Sequence, residues 1–295
     1  MSSPLPRLKP NPIPPIHPVP EFLADTNLRA VYEDTKSTLQ VPWMGVVAMA
    51  FAHYPNFYQA LWQGMKPLAE SQEFVRACRD LRAHIEGAVR DLEPRVLSDT
   101  LTDKNYAGRE IDDIRALIDI FSHGNMPYLM IATAARLLLE GHALEPKSDV
   151  TPSTGRHGPA TGIHLTLIEP HHADAPTVKI FNDIKATLGL PFVNTDYRAL
   201  ARWPSYFSVA WTDLCRHILT PEYEAIVADA HVFAVSQMLA LPNPGGLTSV
   251  VLLAAADQDG DRDEIIQVVQ LFQWLLPGLI TNVAFFRAQL SDTST

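Results

Sequence analysis

The sequence predicts an all-α chain, a pseudo-dimer of two tandem helical repeats with a cleft between them, and three observations carry that reading. Apolar residues recur at helical spacing, as in Leu28, Val31, Tyr32, Thr35 and Leu39 and again in Leu117, Ile118, Phe121 and Leu129. Strand signals are nearly absent, with residues 162–168 (GIHLTLI) the one short alternating stretch. The third is self-similarity: YEDTKSTLQVPW from Tyr32 aligns with FNDIKATLGLPF from Phe181, an offset of 181 − 32 = 149. Without a gap, the same offset carries Tyr54-Pro55 onto Trp203-Pro204 and Trp62 onto Trp211.

In chain order, residues 1–24 form a proline-rich arm, with proline at 4, 6, 10, 12, 14, 15, 18 and 20, a composition suited to polyproline II. Residues 25–144 form the first helical repeat. It reads as a helix, a Val-Pro-aromatic break, a short helix, then Pro55 opening a helix that carries Trp62. Proline suits a first helical position, where its missing N–H costs nothing. Residues 145–176, rich in Pro, Gly and His, read as a linker that takes in the alternating stretch, and 177–295 as the second repeat.

A length of 295 residues with 47% hydrophobic content is enough for a sizeable core without staples. A net charge of −10 argues against nucleic-acid binding, which needs a basic face. Cys78 and Cys215 form no CxxC pair and read as buried reduced thiols. No basic-then-apolar leader is seen at the N-terminus, and no uncharged apolar run is expected to reach the roughly 18–20 residues of a membrane span. The expectation is a cytoplasmic protein without membrane or nucleic-acid partners.

Duplication supplies its own test of function. A residue that is polar in one copy and apolar in the other was not needed to fold the unit. Subtracting 149 places Asp196 on Val47 and Thr195 on Val46, and an ionised carboxylate at a valine position is costly to bury. Near an offset of 151, Asn125 falls on Leu276. Two structural alternatives stand beside this: Asp196 as a helix N-cap, and Asn125 in a turn or cap of His123-Gly124-Asn125. The acidic run from Asp257 lacks the glycine and glutamate of a calcium loop, with Arg262 and Val268 at those positions. It reads as a solvated turn before a helix opened by Asp263 and Glu264. His157, His164, His171 and His172 crowd the linker without helical spacing. Nucleotide, zinc-protease and α/β-hydrolase motifs are absent from the sequence. Trp43, at a proline break, is the best pocket wall among the aromatics.

Tyr32-Glu-Asp…Thr38-Leu-Gln-Val-Pro-Trp43, Gly124-Asn125 followed by Tyr128-Leu129, and Asp196 ahead of Ala199-Leu-Ala-Arg-Trp-Pro204 resemble the group I 2-haloacid dehalogenases over about residues 25 to 290. That resemblance implies a cofactor-free, metal-free helical pseudo-dimer with the active site in the cleft between its two repeats. In it Asp196 is the base that activates water for direct attack on the halogen-bearing Cα, and Asn125 holds the water. It places Trp43, Val46, Tyr128, Asn194 and Thr195 at the substrate pocket, with Val46 departing from a phenylalanine in the family. Asn194, two places before the aspartate, implies a lean toward D-2-haloacids. The implied partners are a small 2-haloalkanoate anion, water, the halide product and a second copy in a homodimer. With so acidic a chain, the substrate carboxylate is expected to meet backbone N–H groups at a helix N-terminus. Two rivals remain at this level: an all-helical metal or redox enzyme using the linker histidines, and a non-catalytic helical binding module.

Overall fold

The computed structural model describes residues 4–160 and 162–291. Residues 1–3 of the arm, 161 of the linker and 292–295 of the second repeat lie outside the described residues. The described residues form helices α1 (Thr26–Leu39), α2 (Val46–Phe51), α3 (Pro55–Ala69), α4 (Gln72–Ala88), α5 (Ser98–Asp103), α6 (Gly108–Leu139), α7 (Ala175–Leu188), α8 (Thr195–Leu200), α9 (Pro204–Cys215), α10 (Pro221–Ala240), α11 (Ser249–Gln258) and α12 (Arg262–Gln289). Among them there is no strand, only two isolated bridges, and residues 162–168 belong to no regular element.

Several features recur at one spacing. Helix α1 spans 26–39 and α7 spans 175–188; α2 spans 46–51 and α8 spans 195–200, each pair offset by 149. Asp25 caps α1 by accepting from the Leu28 N–H, and Asp174 caps α7 by accepting from Thr177. The helices end on left-handed residues, Gln40 (φ 52°) and Gly189 (φ 62°). Trp62 Nε1 donates to Asp34 Oδ2 at 2.8 Å, and Trp211 Nε1 to Asp183 Oδ2 at 2.6 Å. Val19 N donates to Met49 O at 2.9 Å and Ile168 N to Arg198 O at 3.0 Å, so the correspondence reaches back into the arm and the linker.

The chain divides into two compact units, Met1–Leu81 with His123–Gly158 and Ala228–Gly278, and Arg82–Ser122 with Pro159–Val227 and Leu279–Thr295. Each takes segments from both sides of the linker. In the first, α3 packs on α1, α2 and α11, around Phe51, Phe57 and Phe272, whose rings meet edge to face. The arm is bound to this unit. The Leu5 carbonyl accepts from His231 Nε2 at 2.7 Å, that of Pro6 from Arg136, and that of Val19 from the Tyr32 hydroxyl. Gln273 Oε1 accepts from Arg136 at 2.7 Å, so the Gln273 amide NH₂ faces His231 Nδ1, 3.0 Å away. Nδ1 therefore accepts, and His231 is neutral with its proton on Nε2. In the second unit, Tyr197 is the hub, stacked on Phe207 and set edge-on to Trp211 and Phe286. Here Asp213 Oδ2 accepts from Arg95 N and Gln289 Nε2.

The acidic run is a set of helix caps. Asp259 accepts from the N–H groups of Asn56 and Phe57 at the start of α3, and Asp261 from that of Glu264. One expectation is corrected: residues 265–286 carry no Asp, Glu, Lys or Arg, and α12 is long and apolar enough to cross a membrane by length and composition. Its glutamines and asparagine break the hydropathy without adding charge, and 83% of its most apolar window is buried, as in a core helix.

Candidate active site

In the first unit, α6 brings Asn125 and Tyr128 to the break that carries Trp43. Helix α6 runs unbroken through His123-Gly124-Asn125-Met126-Pro127, so Asn125 is buried mid-helix and the turn-or-cap alternative is set aside. Glycine at 124 admits the indole: a Cβ there would lie 2.3 Å from Trp43 Cη2. Tyr128, one turn of helix past Gly124, donates its hydroxyl to the Trp43 carbonyl at 2.9 Å, with the two rings edge to face. Burial pushes the Tyr128 phenol up, so it stays a donor. Gly45, the N-cap of α2, leaves room for the Tyr128 ring, which would lie 2.8 Å from a Cβ. Val46 opens α2 and is half-buried. Trp43, Gly124, Tyr128 and Gly45 therefore lock together, with Asn125 and Val46 on the adjoining residues.

In the second unit, the extended N-cap Asn194 (φ −62°, ψ 156°) makes no side-chain cap bond, and Thr195 and Asp196 form the first turn of α8. All three are buried, Asp196 to 2% exposure. Asp196 thus lies inside the helix and is not its N-cap, although a carboxylate in a first turn is favoured by the helix dipole. Behind it, Tyr197 is fixed by a buried chain: the Tyr223 hydroxyl donates to Asn282 Oδ1 at 2.7 Å, and Asn282 Nδ2 donates to the Tyr197 oxygen at 2.8 Å. Burial, then the neighbouring Tyr223 and the Asp196 charge, push the Tyr197 phenol well up. This chain anchors α8 to α10 and α12 and was missed in the sequence, although subtracting 149 places Tyr197 on Ala48 and Tyr223 on Phe74. Gly45 and Gly124 were also missed; only the close ring contacts reveal their purpose.

The other candidates fare differently. Among the described residues, no three His, Cys, Asp or Glu side chains gather where a metal could be held. His157 packs on His123, and its backbone N–H is held by Gln40. Cys78 and Cys215 are both free thiols, and burial raises the pKa of each.

Residues 42–190 match the model of a family described as halocarboxylic acid dehydrogenase DehI. The chain is 47% identical to an (R)-2-haloacid dehalogenase of Rhizobium sp. (strain NHG3), over 82% of this chain and 95% of that protein. The chain belongs to this family. It is also 39% identical to an (R)-2-haloacid dehalogenase of Pseudomonas putida, over 93% of this chain and 92% of the relative. A crystal structure of a D-2-haloacid dehalogenase mutant superposes with a TM-score of 0.85 at 36% identity, covering 96% of this chain and 98% of the other. A second family structure, a D-2-haloacid dehalogenase in complex with L-LA, matches with the same score and coverage. The family's all-helical fold is thus the fold of this chain.

Proposed function

We propose that the chain is a hydrolase acting on carbon–halide bonds, converting short 2-haloalkanoic acids to 2-hydroxyalkanoic acids with the D enantiomer preferred. The observation that carries the reading is the 47% identity to an (R)-2-haloacid dehalogenase across most of both chains. The burial of Asp196, Asn125 and Asn194 supports the assignment of roles.

In the proposed mechanism, Asp196 takes a proton from a water held by the Asn125 amide. The oxygen attacks Cα, the C–X pair leaves with the halide, and the configuration inverts without an ester intermediate. A positioned carboxylate base contributes about 10²–10⁴-fold, and alignment of the water adds to it. Trp43 walls the pocket and cradles the halide, with Val46 and Tyr128 beside it. The Tyr128 proton is committed to the Trp43 carbonyl, so toward substrate this residue offers its ring and oxygen lone pairs. Backbone N–H groups at Asn194-Thr195 receive the substrate carboxylate, and the Asn194 side chain sets the D preference. The site lies between two tandem repeats; the element bounds, caps and Trp–Asp bonds that recur at an offset of 149 support the duplication. A cytoplasmic location and a homodimer complete the proposal.

Halide release from D- and L-2-chloropropionate tests it. Wild type should act chiefly on the D form, Asp196→Asn should abolish turnover, and Asn125→Ala should lower kcat. Full activity in Asp196→Asn would overturn the mechanism, and no halide from either enantiomer would overturn the function. In labelled water, a single turnover should place the label in product and leave the protein unlabelled. Asn194→Ala should admit the L form.

A further inference from the structure

In the first unit, a carboxylate occupies a seat at the α1–α2 break. Glu21 of the arm bonds Lys36 Nζ at 2.5 Å through one oxygen and accepts from the Met44 N–H at 3.1 Å through the other. Lys36 has a second acidic partner, Glu33, at 2.8 Å. Adding 149 carries Lys36 onto Lys185 and Met44 onto Val193, but Glu21 onto Pro170 and Glu33 onto Asn182. Both carboxylates have gone while the cation and the N–H remain. The nearest replacement in sequence, Glu169, pairs with Arg198, which stands where the first unit has Met49. Among the described residues, no carboxylate reaches Lys185, and the Val193 N–H bonds no protein group.

What stands there is a groove of about 380 Å³, lined by Lys185, Val193, Phe192, Val178 and the Arg198–Glu169 ion pair, in which the Glu169 charge is already matched. It combines an ammonium, a backbone N–H and an apolar wall. We propose that this groove is a second binding site, distinct from Asp196, for the carboxylate of a short aliphatic acid. The acid's carboxylate would bridge Lys185 Nζ and the Val193 N–H as Glu21 bridges Lys36 and Met44, with the alkyl end on Phe192 and Val178. Substrate and hydroxyacid product share that chemistry, and a ligand on Val193 adjoins Asn194, the residue before α8.

The experiment is an amide-shift titration of the full chain with propionate, which carries no halogen and cannot turn over. The Val193 amide should show a saturable shift in wild type and equally in Asp196→Asn. Lys185→Met should weaken it by about tenfold, the share of one charge-assisted hydrogen bond partly screened by solvent, and Lys185→Arg should keep it. Titrating Asp196→Asn with lactate and with 2-chloropropionate should reproduce the shift if the carboxylate is what is recognised. No saturable shift at Val193, a shift indifferent to Lys185→Met, or one lost in Asp196→Asn would each overturn the proposal.

Discussion

Gly124→Ala should cost far more activity than stability. The added methyl would stand 2.3 Å from Trp43 Cη2 and 2.9 Å from both Trp43 Cζ3 and Val41 Cγ1. Carbon atoms pack at about 3.5 Å, so the indole must retreat by about 1.2 Å. Overpacking of this kind costs about 1–3 kcal/mol. Against it, alanine replaces glycine inside a helix, a gain of about 1 kcal/mol. The balance is a net loss of about 0–2 kcal/mol, a shift of a few degrees in melting temperature. Catalysis has no such offset. The Trp43 carbonyl holds Tyr128, so both residues of the proposed pocket move together, and a 1 Å misplacement can cost about 10²-fold. Initial rates of halide release, read beside thermal melts, separate the two effects. Trp43→Phe removes the far edge of the indole, so the methyl should be tolerated in the double variant, a coupling of about 1–3 kcal/mol in the melts. A Gly124→Ala protein that melts higher and keeps wild-type kcat/KM would refute the wedge between Trp43 and α6.

Three further outcomes are expected. Burial, with Arg136 and Arg7 nearby, holds the His231 imidazole below its usual range despite its bond to Leu5. The unfolded chain then binds the extra proton first, so stability is full above the ordinary histidine value of about 6.5 and falls as pH drops below it, by at most about 1.4 kcal/mol per pH unit; denaturant melts of His231→Gln should lack that part of the slope. Burial raises the Asp213 carboxyl, but Gln289, the Arg95 N–H and Arg216 together hold it low, so its contribution is present above the ordinary aspartate range and lost on acidification. Asp213→Ala, which strands the Gln289 and Arg95 donors, should cost about 2–3 kcal/mol in urea melts at neutral pH. Trp62→Phe and Trp211→Phe should each lose the Asp bond, about 1–2 kcal/mol beyond the effect of the smaller ring, and by similar amounts; a large inequality would argue against equivalent places in two repeats.

The short-range features were legible because local rules decide them. Helices α1 to α3 and α7 to α9 announce themselves by apolar period and by Pro55 and Pro204 at their first positions. The long helices were harder. His123-Gly124-Asn125 left room for a turn or cap, yet α6 runs through it and through Pro127, because burial on neighbouring helices outweighs propensity and the glycine is wanted for its empty side. The buried carboxylate at 196 stood out because its counterpart Val47 is apolar. The chain Leu5–His231–Gln273–Arg136 did not, since its members lie far apart in sequence and no periodicity links them.

The polar groups of this chain sort by whether their counterpart 149 residues away is polar too. Asp34 with Trp62 and Asp183 with Trp211 repeat, each joining two helices, as do the caps Asp25 and Asp174, each closing the start of its own helix. Asp196, Tyr197 and Tyr223 correspond at the same offset to the apolar Val47, Ala48 and Phe74. A buried polar group is tolerated only when its partners are supplied with it, and here Tyr197, Asn282 and Tyr223 come as one connected chain behind α8. Helices α2 and α4 form with apolar residues at those positions, so helix formation there does not require the polar groups. They fix α8 behind Asp196, the residue proposed as the base, and holding such a base in place is what this one-sided burial of polarity would serve.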